Sequence, residues 1–128
     1  MITLVKALLL FARIFLGIQL VLGALLWFGD TSLVQVHVIQ GGLFVLVIWI
    51  LAVIALFALD KRGLPLFTLL MGGVILWFGV AQRTFLVGSA HWTIRVLHLL
   101  LGVAVMGLVE PLAKAVLARY RSKADPAT

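Results

Sequence analysis

Long apolar runs separated by three short polar clusters set the pattern of this chain. The runs extend from about Ala7 to Phe28, Leu33 to Leu59, Leu66 to Ala81 and His91 to Leu117. A hydrocarbon core of about 30 Å takes roughly 20 apolar residues per helix, so the pattern predicts four membrane-spanning helices. The breaks have the chemistry of turns. Gly29-Asp30-Thr31-Ser32 offers Thr31 or Ser32 as a cap for the second helix. Asp60-Lys61-Arg62-Gly63-Leu64-Pro65 carries the Gly and Pro that end a helix, and Gln82 to Ala90 is the longest connection. Ala118 to Thr128 is a polar tail expected to fray. Four spans nearly exhaust the length, which predicts one all-α domain over 1–128, an integral membrane four-helix bundle.

Polar residues inside the runs are few, and they are not scattered. His91, Arg95, His98 and Gly102 fall within roughly 60° of one another on a helix surface, at about 100° per residue. An earlier stretch, His37-Val38-Ile39-Gln40-Gly41, repeats the spacing of His followed four residues later by Gly. Both stretches stack an imidazole above a bare patch of backbone. The segment Gly23-Ala24-Leu25-Leu26-Trp27-Phe28-Gly29 matches Gly73-Val74-Ile75-Leu76-Trp77-Phe78-Gly79 at five of seven positions. The expected architecture is therefore two repeated helical hairpins, about 1–60 and 61–117, in parallel rather than inverted relation. Trp27 and Trp77 are either interfacial anchors or walls of a site between the hairpins.

Composition then narrows the class. Hydrophobic residues make up 65% and charged residues 11%, against about a quarter charged in soluble domains, and mean hydropathy is +1.30. There is no cysteine, which excludes disulfides, thiolate metal ligands, thioether-linked haem and cysteine catalysis. The net charge of +6 is not read as nucleic-acid binding, because the basic residues sit at the ends of the runs. Lys6 and Arg13 are assigned to the start of the first span. With Lys61, Arg62, Lys114, Arg119, Arg121 and Lys123 they fall on one side of the layout, and Arg83 and Arg95 on the other. By the positive-inside rule both termini are cytoplasmic, in what is expected to be a bacterial inner membrane. The first apolar run is too long for a signal peptide, and no small-x-small site precedes Asp30.

The candidate chemistry follows from depth. His37 lies about four residues into the second span and His98 about seven into the fourth, so at about 1.5 Å per residue the two share a level in the outer half. Ionisable groups at such depth cost a few kcal/mol and face a bundle interior or a partner. Two neutral imidazoles aimed into an apolar slot form the ligand set of a low-spin haem, with His37 and His98 as metal ligands. Gly41 and Gly102 would give the flat macrocycle close approach. Arg95 and His91 would meet its propionates, with Arg83, Gln35 and Gln82 on the same rim. Phe44 and Ile48 below His37, and Val105 and Met106 below His98, would floor the slot.

Taken singly, a His four residues from a Gly also reads as a packing residue, since small residues mediate membrane helix contacts. Glu110 is expected to snorkel or to pair with Lys114 at i+4. Met106 reads as packing rather than as a ligand.

In helix count and in the pair His37/His98 with Gly41/Gly102, the chain resembles four-helix bis-histidine membrane b-type cytochromes. These include cytochrome b561-like proteins and the membrane anchors of quinone-linked dehydrogenases. The resemblance implies one haem b and electron transfer, with quinol or a redox partner protein as the exchange partner. It departs from the two-haem members, which need four axial histidines; this chain has three. A single haem near one face implies a homo-oligomer or a subunit of a larger complex. Three other readings stand beside it: a small four-helix transporter or channel, a cofactor-free accessory subunit, and a (bacterio)chlorophyll-binding subunit. The first span lacks the acidic residue of small multidrug transporters, and the chain has no asparagine for a fluoride-channel track. No nucleophile, metal-water or phosphate motif marks an enzyme in its own right.

Overall fold

The computed structural model describes residues 1–86 and 88–124. Among these the chain is helical throughout. It comprises α1 (Ile2–Trp27), α2 (Val34–Ala58), α3 (Gly63–Ala81) and α4 (His91–Ala124), with single 3-10 turns at Thr31–Leu33 and Gln82–Thr84. Each helix is long and apolar enough to cross a membrane. Short turns return the chain to the end where it began, so the start of α1 and the end of α4 share what we call the near end with the Leu59–Arg62 turn. The far end carries the other two connections.

Local chemistry explains most boundaries and moves several from where the apolar pattern puts them. α1 stops where Gly29 turns to φ +102°, a conformation that costs glycine little. The amides of Phe28, Gly29 and Asp30 donate back to carbonyls of the last turn. Neither Thr31 nor Ser32 caps α2, which starts after Leu33 with no side-chain cap; Asp30 caps the 3-10 turn before it, its carboxylate accepting from both the amide and the hydroxyl of Ser32. Pro65 does not end a turn. It sits in the first turn of α3, where its missing N–H has no intrahelical partner to lose. α4 continues past Leu117 through the tail as far as Ala124, since Ala118, Arg119 and Tyr120 give the helix no reason to stop. The rest of the tail, 125–128, lies outside the described residues.

α1 and α3 each pack against α2 and α4, and α2 touches α4 across the one short diagonal. The apolar core occupies the near half. Val5, Ala12, Ile48, Leu51, Val105, Val109, Leu112 and Val116 are all inaccessible there. Trp49 ties α2 to α3 by donating from its indole N–H to the Leu69 carbonyl at 3.0 Å, with its ring against the bare Cα of Gly72. Higher up the bundle this dense packing gives way to an open space.

Candidate functional site

That space is a cavity of about 650 Å³ bounded by all four helices in the far half. Phe44, Val45 and Ile75 belong both to its wall and to the buried core, and so form its floor. The lining is mostly apolar. Its polar groups are few, as in cofactor sites, and the volume falls within the about 300–1,000 Å³ typical of such sites.

Seven positions singled out by spacing and depth meet here. His37, Gly41 and Phe44 of α2 line the cavity together with His91, Arg95, His98 and Gly102 of α4. Gln82 joins them, as does Trp27 of α1. Gln35 and Trp77 are not on its wall. Trp77 instead packs against Phe85 at 5.8 Å. The side chain of Arg83 lies outside the described residues.

The two imidazoles face each other across the short diagonal, with ring centroids 6.2 Å apart and planes inclined by 59°. Each is seated against a glycine of a neighbouring helix that runs from the near end to the far end. A Cβ on Gly23 of α1 would lie 3.7 Å from Cε1 of His37, and one on Gly79 of α3 would lie 3.0 Å from Cε1 of His98. Phe78 stacks nearly parallel to His98, 11° between planes at 6.1 Å. The rings are thus held by shape. No hydrogen bond among the described residues holds either one, and Nδ1 of both His37 and His98 is buried with no partner.

That detail separates two kinds of histidine. A packing histidine in a membrane helix is retained with its ring nitrogens satisfied, because an unpaired buried polar atom costs about 1–3 kcal/mol. His91 behaves in that ordinary way, its Nδ1 meeting the Phe85 carbonyl at 3.1 Å and tying down the far connection. His37 and His98 do not. Each leaves one nitrogen sealed in the wall, while the other is not among the buried atoms lacking a partner.

The two glycines expected to admit a flat ring are covered by side chains of this chain. A Cβ on Gly41 would fall 2.5 Å from the Gln19 amide nitrogen, and one on Gly102 would fall 3.5 Å from Cδ1 of Ile75. Gly41 makes room for Gln19, whose amide nitrogen donates to the His37 carbonyl at 2.9 Å. Gln40 returns the link, donating from α2 to the Phe15 carbonyl on α1 at 2.9 Å. Both amides leave Oε1 buried and unpaired. The residues that seat the imidazoles, Gly23, Gly79 and Phe78, lie inside the repeated seven-residue segments, but the match does not mark them as seats. Only the packing between helices identifies them, as it does Gln19 at the His37 carbonyl.

Glu110 lies well away from the cavity. It pairs with Arg13 of α1 rather than with Lys114. Arg13 itself stands midway along α1, not at its start.

No family model, curated protein or solved structure matches the chain.

Proposed function

We propose that the chain is a membrane-embedded b-type cytochrome that binds one haem b between His37 and His98 and carries electrons near the outer membrane face. The observation that carries this reading is the imidazole pair. Two imidazole nitrogens bound on opposite sides of one metal ion, at about 2 Å each, hold their ring centroids about 6 Å apart. His37 and His98 stand at 6.2 Å in an apolar cavity and make no hydrogen bond among the described residues that would account for them as packing residues. The donor set also suits the group, being two imidazoles with no carboxylate among the described residues of the cavity wall.

Bound there, haem would supply a one-electron carrier. The chain's own residues would do the rest. Phe44, Ile75 and Leu76 keep water from the floor and so favour the less charged, reduced state. Arg95, exposed on the rim one turn above His98, would hold a propionate and offset its charge. His91 would brace the connection above it. Gly23, Gly79 and Phe78 fix the imidazole planes by contact alone.

The same proposal takes the near end as cytoplasmic, because the basic residues collect there, and the membrane as a bacterial inner membrane. It also takes the two helical hairpins as repeats. An electron held near one face must be exchanged with quinol or with a redox protein, as it would be in a subunit of a larger complex.

The test is the visible spectrum of the detergent-purified protein, oxidised and then reduced with dithionite. A sharp reduced α-band in the b-type region, lost in His37→Ala and in His98→Ala, is the expected result. A protein that stays colourless when expressed with haem supplied would sink the reading. A chlorophyll-like extract would instead favour a pigment-binding subunit.

A further inference from the structure

The one ion pair within the spans among the described residues has no part in the haem reading, and the inference drawn from it stands independently of that reading. Arg13 donates from Nε and Nη2 to the two carboxylate oxygens of Glu110, at 2.6 and 2.9 Å, bridging the first and last helices. This satisfies the carboxylate. It leaves three of the five guanidinium N–H groups without a partner among the described residues. The Arg13 side chain is 54% exposed and that of Glu110 28%, on a surface that faces lipid.

Three neighbours give this pair a direction. Lys6 lies about two turns nearer the termini on the same face of α1, and Lys114 one turn nearer on α4. Both are exposed. The near-end cleft between α1 and α4 thus sets three cations against one anion. Toward the far end, Gly17 follows Arg13 by one turn and Gly107 lies about one turn from Glu110. Both are exposed, and a Cβ built on either would meet nothing within 4 Å. Above the charges there is therefore a shelf of bare backbone.

Guanidinium donors turned toward hydrocarbon need an acceptor, since water is not there to supply one. We propose that this cleft binds one anionic phospholipid of the near-side leaflet. Its phosphodiester, drawn below the headgroup plane by local thinning of the bilayer, accepts the free N–H groups of Arg13, Lys6 and Lys114 balance its charge, and one acyl chain lies on the shelf at Gly17 and Gly107. The planar fork of arginine suits a phosphate, and basic pockets between spanning helices are where such headgroups dock. A second copy of the chain fits less well, because a self-complementary interface here would set the excess positive charge of each copy against the other.

Native mass spectrometry of the full chain in neutral detergent, titrated with phosphatidylglycerol and separately with phosphatidylcholine, tests this. The expected result is one retained phosphatidylglycerol with roughly tenfold preference, falling to within about twofold in Arg13→Gln. Gly107→Leu changes no charge and fills the shelf; it should also weaken retention while the circular dichroism stays that of the parent. Lys114→Gln should reduce the preference, and Lys123→Gln should leave it unchanged. Equal retention of the two lipids by the parent chain overturns the proposal. So does full retention in both Gly107→Leu and Lys114→Gln, which covers the case in which Arg13→Gln does not fold. Displacement of the lipid by millimolar inorganic phosphate would make the ligand a soluble anion. Loss of a dimer in Arg13→Gln without loss of lipid would make it a second copy. Either of these also overturns it.

Discussion

The near and far halves of the bundle are built from the same four helices and much the same residues, yet they do opposite things. In the near half, side chains from all four helices close over one another, and Val105, Val109 and Leu112 lose all contact with solvent or lipid. In the far half the same helices stand apart around about 650 Å³ of space, and polar groups are buried without partners on its walls. Association of helices within a bilayer rests on close packing rather than on transfer of apolar surface from water. A packed near half can therefore keep an under-packed far half in place. The stability of the bundle and the chemistry of the site occupy different levels of one structure.

This separation can be broken by paired substitutions, and the largest effects come from crossing it. Leu112→Ala should cost about 3 kcal/mol against unfolding in detergent, because the site is fully enclosed and a cavity would remain. On the haem reading, the b-type band of the folded fraction should not move. His98→Leu should do the reverse, abolishing the band. The stability of the haem-free protein should change by less than about 1 kcal/mol or rise, since among the described residues the imidazole makes no hydrogen bond and leaves a buried nitrogen unpaired. Unfolding curves read beside spectra separate the two outcomes. If His98→Leu destabilises the haem-free chain as much as Leu112→Ala does, His98 is a packing residue and the two halves are not distinct.

Within the far half the two imidazole seats are unequal, which gives a finer test. A Cβ added at Gly79 meets Cε1 of His98 at 3.0 Å and must displace it, whereas one at Gly23 meets His37 at an ordinary 3.7 Å. Gly79→Ala should therefore shift the reduced α-band and the midpoint potential, and Gly23→Ala should leave both nearly unchanged. Gly17→Ala, in open space outside the cavity, should leave the band and the potential unchanged. Equal effects at Gly79 and Gly23 would mean that the seats are not what positions the rings.

The same contrast explains how much was legible in the sequence. Four helices and the meeting of His37 with His98 follow from hydropathy and from depth counted along each run, and both quantities are local. The ion pair of Arg13 is not local. Its partner stands 97 residues away, while Lys114 lies one turn from Glu110 and is the nearer choice by sequence. Gln19 is one amide in an apolar run, and its role depends on Gly41 leaving room for it from another helix. The imidazole seats show most clearly what a local pattern omits. The seven-residue match aligns Gly23 with Gly73 and Gly29 with Gly79, but the glycines that hold the imidazoles are Gly23 and Gly79. His37 is the fourth residue of α2 and His98 the eighth of α4, so equivalent positions in the match do not do equivalent work.

The smallest expected effect falls on the rim, where the far half meets water. Arg95 lines the cavity but is exposed, so its charge acts through a partly screened path. On the haem reading a nearby cation disfavours the oxidised iron, which carries one more positive charge than the reduced iron, and Arg95→Gln should therefore lower the midpoint potential. Through partly wet surroundings the interaction is worth about 1 kcal/mol, which for a one-electron couple is a shift of about 40 mV. Raising the salt concentration should shrink the difference between parent and variant, because the rim is open to ions whereas the floor at Phe44 and Ile75 is not. A shift of the opposite sign, or one independent of salt, would place Arg95 away from the haem edge and leave the rim without a part in tuning the site.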